Sequence, residues 1–269
     1  CEGASFWESR TFEKYGIPGL FVCDGPSGLR KQDLSGGLDM LGINKSYPAT
    51  CFPAAVTTAG SWDPELTEAV GNAIGQEALD QKVGVVLGPG CNLKRNPLCG
   101  RNFEYFSEDP YLAGKMAAAC IRGIQSQGVS ACAKHFAVNS QELKRMSVDS
   151  VVDQRTLREI YLTGFEIAVK DAKPATVMCS YNKLNGTHAS DHKQLLTDIL
   201  RTEWGFGGMV STDCHTYSEQ YKELNVGNDL RMPGGFLDRL MEALEKSLIT
   251  RQQLEISEKR ILGLHLKLD

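Results

Sequence analysis

Residues 110–135, PYLAGKMAAACIRGIQSQGVSACAKH, join two patterns that together decide the fold. Residues 110–127 space their apolar side chains as an amphipathic helix does, and Asp109 before Pro110 is typical of a helix start. Residues 129–135 form a short apolar run ending in two basic residues, Lys134 and His135. Such a run is typical of a strand buried in a parallel sheet. A helix followed directly by a buried strand is the repeating unit of an α/β protein.

The same alternation extends in both directions from this stretch. The predicted strands are residues 20–24, 55–60, 84–88, 129–135, 176–181, 209–213 and 228–232. The predicted helices are residues 64–81, 110–127, 154–172, 193–204, 218–224, 237–248 and 251–267. This order predicts a parallel sheet wrapped by helices. The length of 269 residues favours a single-domain (β/α)8 TIM-type barrel over an open doubly wound sheet.

Only seven strands are recognisable, so one strand is hidden or the barrel is irregular. Residues 36–47 are the predicted longest loop. We expect one domain over residues 1–269, and the start at Cys1 without a signal peptide suggests a chain processed or cut from a longer protein.

Composition and charge argue against several kinds of partner. Charged residues make up 23% of the chain and the net charge is −4, which favours neither nucleic acid nor an anionic membrane. No apolar run approaches the roughly 20 residues that a membrane span needs. The nine cysteines, an odd number without a CxxC pair, indicate buried free thiols in a reducing compartment. We therefore expect a cytoplasmic protein without structural zinc.

Polar side chains stand at the carboxyl end of five of the seven predicted strands. In a parallel barrel these ends form one rim, where reacting groups lie, so we expect a single polar cup. Its predicted contents are Asp24, Arg101, Lys134, His135, Arg145, Tyr181, Asn182 and Asp213. Isolated acids mixed with cations suit a polyhydroxylated ligand, because each hydroxyl both donates and accepts hydrogen bonds. A phosphate site would be glycine-rich and basic, without two acids.

Seven long motifs resemble the N-terminal barrel of family 3 β-glucosidases, a group of glycoside hydrolases, in register from about Phe6 to the end of the chain. They are DGPSGLR (24–30), CFPAAVTTAGSWDPEL (51–66), GPGCNLKRNPLCGRNFEYFSEDPYLAGKMA (88–117), AKHFAVNSQELKR (133–145), DQRTLREIYLTGFEIAVKDA (153–172), VMCSYNKLNG (177–186) and TEWGFGGMVSTD (202–213). The resemblance implies a retaining β-glycosidase that acts on β-linked oligosaccharides or aryl and alkyl glycosides, with glucosides ahead of xylosides. It implies no cofactor and no metal.

By this resemblance, Asp213 is the nucleophile that attacks the anomeric carbon, and nearby cations are expected to keep it ionised at neutral pH. The substrate-binding residues it implies are Asp24, Arg30, Arg101, Lys134, His135, Arg145, Met178 and Tyr181. Asp24, supported by Arg30, would bind the distal hydroxyls of the sugar. Arg101, Lys134 and His135 would bind the middle hydroxyls. Arg145 and Tyr181 would flank the nucleophile, and Met178 would line the apolar side.

Retaining hydrolysis also needs an acid/base carboxyl about 5–5.5 Å from the nucleophile. In β-glucosidases of this family that group is a Glu on a second, C-terminal α/β domain, which we expect in the parent protein but not in residues 1–269. A subgroup acting on N-acetylglucosaminides uses a His–Asp pair after a KHFPGHG-like string. This chain reads KHFAVNS there, which excludes that route. It also has Cys214 where many relatives have Trp, which leaves the sugar specificity open.

Other interpretations of the same residues remain open. Asp213 could cap a helix, and the chain could be a carbohydrate-binding barrel with little or no turnover. Lys134 on a strand could form a Schiff base in a lyase, although acidic partners would keep it protonated. His188 and His192 have the i,i+4 spacing of metal ligands on a helix but flank a loop-like stretch, so we interpret them as surface residues.

Overall fold

Five parallel strands form the central sheet of the chain, whose residues 5–33 and 45–268 are described by a computed structural model. The strands in chain order are β1 (Val22–Asp24), β2 (Val85–Leu87), β3 (Ser130–Phe136), β4 (Asp149–Ser150), β5 (Thr176–Cys179), β6 (Lys183–Leu184), β7 (Thr187–His188) and β8 (Met209–Ser211). The central sheet has the order β1-β2-β3-β5-β8, and β4, β6 and β7 form a small second sheet. Register partners in the central sheet are Val22 and Val85, Val85 and Ser130, Cys132 and Thr176, and Thr176 and Met209.

Helices lie between the strands of the central sheet and follow the last of them. They are α1 (Ala55–Ala59), α2 (Pro64–Asp80), α3 (Pro110–Gln125), α4 (Gln154–Thr156), α5 (Thr163–Ile167), α6 (Gln220–Asn225), α7 (Leu237–Glu245) and α8 (Arg251–Leu268). The π-helical segments Leu157–Tyr161, Ala168–Ala172 and Gln194–Glu203 complete the predicted helices 154–172 and 193–204. Short 3₁₀ turns lie at Glu13–Tyr15 and Ala189–Asp191. Within the described ranges, every helix is too short or too polar to cross a bilayer.

The predicted helix starts are present as hydrogen-bonded caps. The carboxylate of Asp63 accepts a hydrogen bond from the backbone N–H of Leu66 at 3.0 Å, before the proline that opens α2. Asp109 caps α3 and Asp153 caps α4 in the same way. Each cap satisfies a backbone donor that the first turn of a helix would leave free.

The side chains on the two faces of the central sheet belong to two separate hydrophobic clusters. Outward residues such as Cys23, Val86 and Val177 belong to the large core beneath the helices. The inward residues meet in one separate cluster that unites all five strands with the segment around Leu230. It contains Trp7, Val22, Val85, Leu87, Cys132, Met178, Met209, Leu230, Met232 and Leu264. Because side chains from the first strand and from the Leu230 segment share this cluster, the sheet is curved, and the predicted barrel-type α/β fold is confirmed.

Two predicted strands are wrong. Residues 55–60 form helix α1, and their buried members Ala55, Thr58 and Ala59 follow the helical spacing rather than the alternation of a strand. Residues 228–232 form no strand, and Leu230 makes an isolated parallel bridge with Ser211. There the Asp229 carboxylate accepts the backbone N–H of Val210 at 2.9 Å, which removes that donor from strand pairing.

The central sheet has five strands within the described residues, which agrees with the irregular form of barrel that the sequence left open. The second sheet was not predicted, because strands of two residues carry no periodicity. The predicted loop 36–47 lies largely outside the described residues, which resume at Lys45.

Helices α2 and α3 pack in unusually close contact through glycine. A Cβ atom on Gly71 would lie 2.5 Å from the carbonyl oxygen of Cys120. A Cβ atom on Gly123 would likewise overlap the carbonyl oxygen of Glu68. Both positions therefore require glycine, and the contact fixes α2 and α3 against each other behind β2 and β3.

Candidate active site

An open cavity of about 420 Å³ lies at the carboxyl end of the parallel strands. Nine of the ten residues that the sequence singled out for the site line it: Asp24, Arg30, Arg101, Lys134, His135, Arg145, Met178, Tyr181 and Asp213. Strand geometry explains part of this convergence, because residues two apart in a strand share a face. Val22 and Cys132 belong to the inner cluster, and Asp24 and Lys134 follow them by two positions. The inner face thus changes from apolar to charged at the rim.

Asp213 lines the cavity, is buried, and has one carboxylate oxygen without a hydrogen bond among the described residues. Its Oδ1 atom accepts the backbone N–H of Cys214 at 2.8 Å. Its Oδ2 atom lies 3.7 Å from the Nε2 atom of His135 and has no hydrogen-bond partner in the described part of the chain. Burial raises the pKa of Asp213 above its usual 3.8, while the Arg101 guanidinium and the Cys214 N–H oppose the rise. The cations therefore offset the cost of burial only in part.

The charged pair of Lys134 and Asp24 forms one wall of the cavity. The Nζ atom of Lys134 donates to Oδ1 of Asp24 at 2.9 Å, and Arg30 lies 3.6 Å from Oδ2. Burial alone would raise the pKa of Asp24, but the ammonium of Lys134 turns the net shift downward. Burial alone would lower the pKa of Lys134, but Asp24 turns that shift upward. Both groups are therefore charged at neutral pH, and Lys134 lacks the neutral amine that a Schiff base requires.

His135 is held rigidly and is neutral. Its backbone N–H donates to Oδ1 of Asn92 at 2.7 Å, and its carbonyl oxygen accepts from Nδ2 of Asn92 at 2.8 Å. Its Nδ1 atom lies 3.2 Å from the hydroxyl of Tyr105. Burial first, and then the charge of Arg101, lowers the pKa of His135 well below 6.5. The imidazole therefore presents a neutral ring to the cavity.

Arg101 and Arg145 each form an ion pair with a glutamate nearby in the sequence. Arg101 donates to the buried carboxylate of Glu104. Arg145 donates to Glu142 at 2.9 Å, and its guanidinium carbon lies 4.6 Å from the ring centre of Tyr181. Burial raises the pKa of Tyr181, so its phenol stays neutral beside Asp213.

The site is balanced in charge. Its four cations are Arg30, Arg101, Lys134 and Arg145, and its four acids are Asp24, Glu104, Glu142 and Asp213. With His135 neutral, the two sets cancel. A site of this kind carries no net attraction for an anion.

A buried ion pair holds the loop that follows Asp213. Arg231 lies 3.3 Å from Oε2 of Glu223 and donates to the carbonyl oxygens of Thr216 and Ser218 at 2.7 Å each. The hydroxyl of Thr216 donates to Oε1 of Glu223 at 2.9 Å. Burial raises the pKa of Glu223 from 4.5 to about 7, against the opposing charge of Arg231. The pair fixes residues 214–218 beside the cavity.

Several residues that the sequence analysis did not assign also shape the site. Phe6, Trp7, Leu87, Met146, Cys214 and His215 complete the cavity lining. Asn92 and Tyr105 lie behind it and touch His135. The only sequence signal for Asn92 and Tyr105 was their place in the long motif 88–117, because neither follows a strand in the way that Lys134 does.

Three polar residues lie in positions that differ from those predicted from the sequence. Asn182 lies behind the cup, where its amide donates to the carbonyl oxygens of Ala137 and Lys183 at 3.2 and 3.0 Å. His188 and His192 are half-buried rather than surface residues, and their Nδ1 atoms bond to the backbone of Tyr181 and Leu195. Among the residues that the structure describes, no three His, Cys, Asp or Glu side chains form a group that could hold a metal ion.

The curved parallel sheet and the charged cavity at its carboxyl end define a barrel-type α/β protein with a polar site. Residues 33–264 match the sequence profile of the glycosyl hydrolase family 3 N-terminal domain. The chain therefore belongs to glycosyl hydrolase family 3.

Relatives of named activity are similar to nearly the whole chain. Thermostable beta-glucosidase B of Acetivibrio thermocellus is 50% identical over 265 residues, which are 97% of this chain and 35% of that protein. Exo-alpha-(1->6)-L-arabinopyranosidase of Bifidobacterium longum is 47% identical over 254 residues, which are 94% of this chain and 33% of that protein. The chain thus spans about a third of the length of these curated relatives.

Solved structures share the fold closely. Beta-glucosidase 3B of Thermotoga neapolitana, in complex with alpha-D-glucose, superposes with a TM-score of 0.90 at 43% identity, covering 97% of this chain and 37% of that one. Beta-glucosidase of Kluyveromyces marxianus, in complex with glucose, gives a TM-score of 0.92 at 36% identity, covering 98% of this chain and 31% of that one.

Proposed function

We propose that this chain carries the nucleophile half of the active site of a retaining β-glycoside hydrolase, with Asp213 as the nucleophile. One observation carries the proposal. Asp213 lines a sugar-sized cavity, and its buried Oδ2 atom has no hydrogen-bond partner in the described residues. A buried carboxylate oxygen without a donor is costly unless it has a chemical use.

In the proposed first step, Oδ2 of Asp213 attacks the anomeric carbon of the non-reducing-end sugar. The bond from that carbon to the leaving oxygen breaks, and its electron pair stays on the leaving oxygen. The acid/base group gives that oxygen a proton. Water, deprotonated by the same group, then attacks the glycosyl-enzyme ester and releases the sugar. Asp24, Arg101, Lys134 and His135 hold the hydroxyls in place, and the apolar Met178 faces the ring.

The acid/base group is proposed to come from another part of the parent protein, a second α/β domain. The carboxylates lining the cavity are Asp24 and Asp213 among the described residues. Asp24 cannot serve as a general acid near neutral pH, because Lys134 lowers its pKa. The chain covers only about a third of its β-glucosidase relatives, which leaves room for such a domain in a protein of their length.

A neutral sugar is the proposed substrate, with a β-glucoside first and a β-xyloside second. The balanced charges of the site disfavour a uronide, whose carboxylate would need an extra cation. The beta-glucosidase of Acetivibrio thermocellus is 50% identical to this chain and the arabinopyranosidase is 47% identical. Overall similarity therefore distinguishes only weakly between a glucoside and an arabinopyranoside as the substrate. The half-buried Cys214, which lines the cavity beside Asp213, is small enough to leave room on that side of the sugar.

Trapping of the glycosyl-enzyme tests the proposal. The full 269-residue chain is incubated with 2,4-dinitrophenyl 2-deoxy-2-fluoro-β-D-glucoside, whose leaving group needs little acid assistance. We expect a mass gain of one fluoroglucosyl group on the peptide that contains Asp213, and none in Asp213→Asn. Sugar binding without any adduct would instead support the second candidate, a carbohydrate-binding barrel without turnover.

A further inference from the structure

We propose that Tyr105 is a positioning residue that fixes the tautomer of His135, so that the Nε2–H of His135 points at Asp213 and the bound sugar. Tyr105 does not line the cavity, and its side chain is fully buried behind it. The tautomer is a property of the free protein. Its effect on a substrate rests on the proposed function.

The first step concerns the hydrogen-bond partners of the Tyr105 hydroxyl. The oxygen lies 3.2 Å from Nδ1 of His135 and 3.3 Å from Nδ2 of Asn139. The rings of Tyr105 and His135 meet edge to face with their centres 6.2 Å apart. A phenol has one proton to donate, so only one of these two contacts can be a donation from Tyr105.

The second step fixes the direction of the contact with Asn139. The Nδ2 atom of Asn139 also lies 3.2 Å from Oε1 of Glu142, whose other oxygen accepts from Arg145 at 2.9 Å. A carboxylate paired with an arginine only accepts hydrogen bonds, so the NH₂ end of the amide must face Glu142. A flipped amide would set its oxygen against the carboxylate. Asn139 therefore donates to both Glu142 and the Tyr105 hydroxyl.

The third step follows by elimination. The Tyr105 oxygen accepts from Asn139, and the only other contact of its hydroxyl among the described residues is with Nδ1 of His135. If an Nδ1–H of His135 were the donor there, the buried phenol proton would have no acceptor, so Tyr105 donates its proton to Nδ1. His135 is neutral, since burial and the charge of Arg101 lower its pKa well below 6.5. A neutral imidazole that accepts at Nδ1 carries its proton at Nε2. The Nε2 atom lies 3.7 Å from Oδ2 of Asp213, and Asn92 holds the backbone of His135 on both sides.

The consequence is a chain of hydrogen-bonded side chains whose first and last members both line the cavity. It runs from Arg145 through Glu142, Asn139 and Tyr105 to His135. With the proton on Nε2, His135 offers a donor to a sugar hydroxyl and to the ionised nucleophile. The opposite tautomer would turn a lone pair toward the Asp213 carboxylate, which also has only lone pairs to offer.

Nitrogen-15 NMR of the free, histidine-labelled chain tests the assignment directly. The chain has five histidines, and loss of one signal set in His135→Gln identifies that of His135. We expect His135 to be in the Nε2–H form near pH 7. The Nδ1–H form or an imidazolium in the wild-type chain would overturn the proposal. This measurement needs no folded Tyr105 variant.

Tyr105→Phe then tests the role of the hydroxyl. We expect His135 to lose its preference for the Nε2–H form in Tyr105→Phe and to keep it in the matched control Tyr111→Phe, whose side chain is exposed on α3. A folded Tyr105→Phe chain with an unchanged His135 spectrum would refute the proposal.

Kinetics link the tautomer to the substrate. In the full-length parent protein we expect Tyr105→Phe to lower kcat/KM for an aryl β-glucoside about five- to tenfold, the effect of one neutral hydrogen bond. The loss should vanish with the monodeoxy glucoside that lacks the hydroxyl bound by His135. An equal loss for every monodeoxy glucoside would contradict the link. If the NMR result holds and no glycoside is turned over, only the proposed function fails.

Discussion

The Nζ atom of Lys134 and the Oδ1 atom of Asp24 are 2.9 Å apart, although 110 positions separate the two residues in sequence. The contact joins the carboxyl ends of β3 and β1, which are separated in the sheet by β2. The ion pair at the site therefore depends on the curvature of the sheet, which brings the ends of β1 and β3 together. The buried ammonium of Lys134 could not be held at this depth without the carboxylate of Asp24.

Replacing Asp24 should show how much this pair contributes to stability. In Asp24→Asn the buried ammonium of Lys134 loses its partner, so we expect the free energy of unfolding to fall by about 2–3 kcal/mol. This loss of unfolding free energy is smaller than for a fully buried pair, because the side chain of Asp24 is 35% exposed and solvent screens its charge. Urea denaturation measures the change. The double variant Asp24→Asn with Lys134→Met should recover most of the loss, and a double variant as unstable as the single one would contradict this explanation.

Removing the nucleophile should abolish turnover and leave a space that another nucleophile can enter. We expect Asp213→Gly in the parent protein to lower kcat for an activated aryl β-glucoside by about 10⁴-fold or more. Added azide should restore release of the phenol and yield the α-glycosyl azide, because it attacks from the side that Asp213 occupied. Formation of the β-azide instead would place the nucleophile elsewhere.

Stability should decline with pH in the range where Glu223 titrates. The pKa of Glu223 is about 7 in the folded protein and 4.5 as a reference value, so the folded state binds more protons between these pH values. The contribution of Glu223 is therefore fully present below pH 4.5 and is lost as the pH rises to about 7. The expected loss is about 3 kcal/mol. Glu223→Gln should flatten the profile of unfolding free energy against pH, and an unchanged slope would contradict this assignment.

The glycine contact between α2 and α3 should not tolerate a methyl group. In Gly71→Ala the new Cβ would lie 2.5 Å from the Cys120 carbonyl oxygen, which belongs to the backbone of α3 and cannot turn away. We expect a loss of about 2–3 kcal/mol in the free energy of unfolding. Gly207→Ala is the matched control, because its Cβ would meet nothing within 4 Å. Equal melting temperatures for the two variants would show that the helices can separate at little cost.

The sequence predicted the features that follow from local rules. Capping aspartates before α2, α3 and α4, long buried strands such as β3, and polar residues just after apolar strands are all visible in a short window of sequence. For this reason the structure brings nine of the ten predicted site residues to one cavity. Their individual roles remain predictions.

What could not be predicted depends on partners far along the chain. Residues 55–60 are an apolar, β-branched run that suits a strand or a helix equally, and only burial of the 55, 58 and 59 face decides for the helix. Asn92 and Tyr105 act on His135 from 43 and 30 positions away, so no local pattern reveals them. The upward pKa shift of Asp213 likewise depends on burial, which outweighs the cations that the sequence shows.

The alternation that places Asp24 two positions after Val22 also places Lys134 two positions after Cys132, so core and site share one strand register. Deleting a single residue from the end of β1 or β3 would turn the charged group toward the helices and an apolar group toward the cavity. Evolution can therefore alter this site residue by residue or lengthen the loops beyond it. It cannot shift a strand by one position without losing the pocket and the packing together.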